Sequence, residues 1–120
     1  MGHPSSTKLQ PNPTWSDGGA SFDRRRIYRY RLWRQWDASR PTIGFVGLNP
    51  STADHRTDDP TLRRLLSFSK AWGFGALELV NLYAYRATDP TELRTAQDPV
   101  GPRTDVFVRR MARTAETVVV

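Results

Sequence analysis

Between Arg26 and Trp36 the chain reads RIYRYRLWRQW, with Tyr28, Tyr30 and Leu32 alternating against Arg29 and Arg31. That period of two predicts a half-buried strand. After a turn at Asp37-Ala38-Ser39-Arg40-Pro41 comes an apolar run, Thr42 to Leu48, bounded by Pro41 and Pro50. A short run of this kind predicts a buried parallel strand. The first strand is expected to pair with it as an antiparallel hairpin, at or near the sheet edge. Asp59 followed by Pro60 predicts a helix start, because the carboxylate caps the first turn and proline suits the first helical position. The helix should run to about Trp72, with Leu62, Leu65, Leu66, Phe68 and Trp72 inward and Arg63, Arg64, Ser67 and Lys70 outward. Gly73 should stop it.

A second buried strand, Ala76 to about Leu82, completes a right-handed strand–helix–strand unit. Asp89-Pro90-Thr91-Glu92 predicts a short helix ending near Ala96. Gly101-Pro102 opens a longer one through Phe107, Val108, Met111 and Ala115, and Val118-Val119-Val120 begins a third parallel strand. The expected fold class is α/β, three-layered: a mainly parallel central sheet with helices on its faces and an N-terminal antiparallel edge strand. A third strand with nothing after it leaves the sheet unfinished, so the chain is expected to be truncated at its C-terminus.

Residues 1–22 are expected to be a disordered tail, since Met1 to Ala20 is rich in Pro, Ser, Gly and Asn with few large apolar groups. Residues 23–120 then form one domain, as a chain of 120 residues allows. No apolar run approaches the roughly 20 residues of a membrane span, and no signal peptide opens the chain. The absence of cysteine excludes disulfides, thiolate zinc sites and iron–sulfur clusters. A cytoplasmic location, no membrane partner and no cofactor are the expectations.

The net charge of +6 is uneven. Residues 1–40 hold eight Lys or Arg against three Asp, whereas residues 41–120 hold ten against nine acidic groups. Such an excess is an electrostatic footprint for phosphates, or equally a charged edge strand protected from aggregation. Arg26, Arg29 and Arg31 are the candidate contacts to a nucleic-acid backbone.

In open α/β sheets, ligands sit beyond the carboxyl ends of strands. Asn49, Pro50, Ser51 and Thr52 follow the central strand, where amide and hydroxyl groups suit a water, a phosphate oxygen or a base edge; local turn bonding explains them as well. Asp54, His55, Asp58 and Asp59 come next. This set suits Mg²⁺ near a phosphate, or a general base with Asp54 as the catalytic candidate, although capping already accounts for Asp59. No metal site is chosen among them. Asn81 is unusual inside a strand. At a strand end beside Asn49 it gains a reason, reading a polar ligand, with Tyr83 or Tyr85 stacking on a base and Arg86 holding a phosphate.

The motifs YRYRLWRQWD, FVGLNPSTAD, DDPTLRR, WGFGALELVNLYAYRATDP and DPVGPRTD resemble, in order, the bacterial and phage family catalogued as domain of unknown function 1643. A more distant resemblance is to the uracil-DNA glycosylase superfamily. Gly47-Leu48-Asn49-Pro50 is similar to the loop after its central strand. Val80-Asn81-Leu82-Tyr83, with Arg86 and Pro90, is similar to a later strand end and its exit loop. That resemblance implies that Asn49 positions an attacking water, Asn81 reads a flipped base, and an N-glycosidic bond is hydrolysed on nucleic acid or a nucleotide. Ser51-Thr52-Ala53 departs from the glycine usual in the mismatch-specific branch. Two other readings stay open: a non-catalytic nucleic-acid-binding domain, and a small-molecule or nucleotide-processing enzyme using the Asp54–Asp59 carboxylates.

Overall fold

The structure is a computed structural model that describes residues 14–86 and 96–120. Strands β1 (Asp17–Phe22), β2 (Arg29–Gln35), β3 (Thr42–Gly47), β4 (Ala76–Asn81) and β5 (Thr117–Val119) form one sheet in the order β1-β2-β4-β3-β5. Helix α1 (Pro60–Ala71) links β3 to β4, and α2 (Thr104–Thr114) precedes β5.

The sheet is mixed, not mainly parallel. β4 and β5 flank β3 in parallel, while β2 pairs antiparallel with both β1 and β4. The first predicted strand therefore joins β4, not the Thr42 strand, and it is interior. The edge position goes to β1, in a segment read from the sequence as tail. Asp17–Phe22 carries only one bulky apolar group, Phe22 at its end, but its order comes from the backbone, which pairs along the whole of β2. The helix predicted from Asp89 falls on residues outside the described ones.

Strand alternation divides the core. Leu62 and Leu66 of α1 cluster with Leu32, Ile43, Phe45, Leu77 and Leu79. Phe107 and Met111 of α2 cluster with Tyr30 and Val80. Tyr30 and Leu32 belong to different clusters because the β1–β2 register shifts at Phe22, which opposes Arg29 while Ser21 opposes Arg31. Tyr30 is thus the extra residue of a bulge, which redirects the side chains before it. Arg29 is turned inward to be only 2% exposed, and Arg34 is fully buried.

Helix α1 begins and ends as its sequence predicts. Asp59 Oδ1 accepts from Leu62 N at 2.8 Å, and Pro60 takes the first turn. Gly73 ends it with φ of 91°, a left-handed conformation that glycine tolerates without strain. One expectation fails: Phe68 and Trp72 are 46% and 55% exposed, stacked on each other with centroids 5.6 Å apart. The buried stripe is Leu62, Leu66 and Ser69.

Candidate functional site

The last β3–β4 pair is Gly47 with Asn81. Beyond it the ladder continues: Leu82 N donates to Gly47 O at 3.0 Å and Tyr83 N to Leu48 O at 2.9 Å. These bonds hold the two strand exits side by side, so Asn49 and Asn81 line one cavity of about 440 Å³. That size falls in the roughly 300–1,000 Å³ range of small-molecule sites.

The buried part of the lining is polar. Arg29, Asp59 and Asn81 are each no more than 5% exposed. Arg29 Nη1 donates to Ala53 O at 2.9 Å, and Nη2 to Asn81 Oδ1 at 3.4 Å. Its Nε is buried without a hydrogen-bond partner among the described residues. Burial pulls the Arg29 guanidinium down to about 10; Asp59 opposes that shift, while Arg86 and Arg34 add to it. Asp59 also ties the loop to the helix, because Oδ2 accepts from Ala53 N at 3.1 Å while Oδ1 caps α1. The remaining walls are largely apolar, with Phe45, Leu65 and Leu79 inside and the Phe68–Trp72 stack at the exposed side.

Gly47 sits against this amide. A Cβ there would lie 2.7 Å from Asn81 Nδ2, closer than nonbonded carbon atoms approach. The glycine thus makes the space that the Asn81 side chain occupies.

A second arginine immobilises the loop from the side. Arg34 Nε is 3.0 Å from Asp58 Oδ1, Nη2 donates to Asp54 O at 2.5 Å, and the guanidinium lies 4.3 Å from the Trp15 ring centroid. Trp15 Nε1 donates to Asp58 Oδ2 at 2.9 Å. The N-terminal segment therefore braces the loop that carries Asn49 and Ser51.

Of the residues singled out from sequence, Gly47, Asn49, Ser51 and Asn81 line the cavity, and Arg29 and Asp59 join them. Asn49 Nδ2 also donates to Pro50 O at 3.3 Å, and Pro50 is buried. Thr52 is exposed and Tyr83 half-buried, both outside the lining. Asp54 lies outside it too, its Oδ1 accepting from Arg56 N and Thr57 N at 2.9 and 2.8 Å. Burial pushes the Asp54 carboxyl up, but these bonds, with His55 and Arg26, outweigh it and hold the group below its ordinary value. Arg31 pairs with Glu78 at 2.9 Å. Glu78 alternates with Leu77 and Leu79, so this pair lies on the sheet face away from α1. Arg26 is exposed, and Arg86 lies over Phe22.

The apolar walls are what sequence reasoning missed, and Arg29, read as an outward contact to a nucleic-acid backbone, is instead buried in the cavity lining. Arg29 follows a strand period that the bulge at Tyr30 interrupts, and no residue type announces that bulge. Phe68 and Trp72, four apart on α1, were visible as a pair but were assigned to the core.

Among the described residues, no three His, Asp or Glu side chains assemble as a metal-holding group, and no helix is long and apolar enough to cross a membrane. No curated protein and no solved structure matches the chain. Residues 29–120, which carry β2 to β5, both helices and every cavity residue named above, match the family model described as a protein of unknown function (DUF1643), and the chain belongs to that family.

Proposed function

We propose that the cavity receives a nucleobase and that the chain hydrolyses its N-glycosidic bond, as the resemblance to uracil-DNA glycosylases implies. The observation that carries this reading is the convergence of Asn49 and Asn81 on one cavity with buried polar groups and an aromatic pair at its exposed side. Planar heterocycles stack on aromatic rings, and amides read their edges through paired donors and acceptors.

In this mechanism Asn81 reads the base edge and Asn49 holds the water. The water oxygen forms a bond to the anomeric carbon as the carbon–nitrogen bond breaks. The bonding pair leaves with the base, which takes up a proton from solvent, and the water proton is lost to solvent. The sugar passes through an oxocarbenium-like state. Asp59 provides a negative charge in the cavity wall, where a developing cation is stabilised. Asp54 is less suited to the catalytic role, since it lies outside the cavity lining.

The test is chromatographic detection of free base after incubation with nucleosides, mononucleotides and oligonucleotides bearing uracil, mismatched or modified bases. Release by the wild type and loss in Asn49→Ala support hydrolysis. Base binding without release by either protein supports a non-catalytic recognition domain instead.

A further inference from the structure

The turn that joins β1 to β2 carries Arg24, Arg25 and Arg26, all exposed. It lies at the cavity end of the sheet. Arg29 N donates to Ala84 O at 2.9 Å and Arg86 N to Ile27 O at 2.9 Å, so the turn is laced to the exit of β4 directly after Asn81. Two guanidiniums meet there on one ring: Arg26 lies 4.0 Å and Arg86 4.8 Å from the Phe22 centroid. Arg86 Nη1 donates to Arg26 O at 3.1 Å. Arg26 takes up a left-handed backbone, φ 59°, that a non-glycine residue adopts at a cost.

No carboxylate forms an ion pair with either group among the described residues, although Arg31, Arg34 and Arg40 each have one. Asp23 is occupied in the turn, its Oδ1 accepting from Tyr28 N at 2.8 Å. Two like charges held on one ring, neither of them in an ion pair among the described residues, are an arrangement that an anion relieves. A guanidinium fork matches phosphate oxygens.

We propose that Arg26 and Arg86, clipped on Phe22, form a phosphodiester site, so that the substrate entering the cavity is a base within a nucleic-acid strand rather than a free nucleotide. The inference rests on the nucleobase reading of the cavity and adds the class of molecule that delivers the base. The strand backbone crosses the clip while one base reaches toward Asn81. Polyanions bind such sites with a steep dependence on salt, because condensed counterions are released.

The experiment is binding of a fluorescently labelled single-stranded deoxyoligonucleotide to the whole chain across a salt series. Variants are Arg26→Ser, the double Arg26→Ser/Arg86→Ser, and Arg109→Ser/Arg113→Ser on exposed positions of α2 as a control of equal charge loss; thermal unfolding checks each fold. The double variant should weaken binding by about tenfold or more and flatten the logarithmic salt slope by about two, and Arg26→Ser by about one. The α2 control should change little. Arg26→Ser leaves the backbone acceptor of Arg86 in place, so it reads the site even if the double variant does not fold. Equal losses in the clip and control variants, absence of salt-dependent binding, or equally tight binding of polyglutamate would each overturn the proposal. Free base bound by the cavity without strand binding defeats the clip alone. Strand binding through the clip without base binding defeats the cavity reading alone.

Discussion

Arg29 Nη2 donates to Asn81 Oδ1 across 3.4 Å, in a place where both side chains are almost wholly buried. A guanidinium has donors only, so the asparagine oxygen must face it and the amide nitrogen must lie on the other side, over Gly47. Sequence placed Asn81 at a strand end; the bulge in β2 supplies the partner that orients it.

Asn81→Ala leaves the Arg29 guanidinium with one fewer acceptor in a buried site. Stranding such a donor costs about 1–3 kcal/mol. Urea unfolding should show that loss, and base binding should disappear. An unchanged affinity for base would remove Asn81 from the site.

Gly47→Ala adds a methyl group 2.7 Å from Asn81 Nδ2. The backbone tolerates alanine here, so the effect falls on the amide, which must rotate or shift. Overpacking of this kind costs about 1–3 kcal/mol. The folded protein should bind base about tenfold more weakly, the equivalent of one lost hydrogen bond. Calorimetric titration measures it.

Asp59→Ala removes the cap of α1 and the acceptor for Ala53 N together. Loss of a cap alone costs about 0.5–2 kcal/mol, and the orphaned Ala53 amide adds to that. Asp59→Asn keeps an acceptor oxygen and should recover part of the loss. Thermal unfolding of the two variants separates the contributions, and equal midpoints for both would contradict them.

Asp54 provides a pH test. Its folded pKa lies below the unfolded value of 3.8, so its contribution is present above that value. It is lost as pH falls through the lower folded value. Stability measured from neutral pH down should therefore drop more steeply in the wild type than in Asp54→Asn, and the two curves should converge in acid. Parallel curves would show that the turn bonds do not favour the ionised form.

The fold and half of the site were legible for different reasons. Asp59-Pro60 and Gly73 each have a local mechanism, and α1 starts and stops where they put it. The parallel β3–α1–β4 unit follows from two short apolar runs around that helix, so Gly47, Asn49, Ser51 and Asn81 could be placed at one sheet edge. Strand pairing was not legible in the same way. Asp17–Phe22 owes its order to backbone bonds with β2, and residue types carry no record of that. Period-two reading then sent Arg29 outward, because one extra residue at Tyr30 reverses the faces before it. Phe68 and Trp72 continue the apolar stripe of α1, but at the cavity side no element among the described residues covers them, and periodicity cannot tell a core contact from an open wall.

The most direct measurement is a titration of the isotopically labelled chain with free nucleobases, following the side-chain amide resonances of Asn49 and Asn81 and the indole resonances of Trp72 and Trp15. A base seated in the cavity should shift Asn49, Asn81 and Trp72 together along one saturation curve. Trp15, bonded to Asp58 outside the cavity lining, should stay in place. Unmoved amides with every base, in a chain shown to be folded by the same spectra, would contradict the nucleobase site.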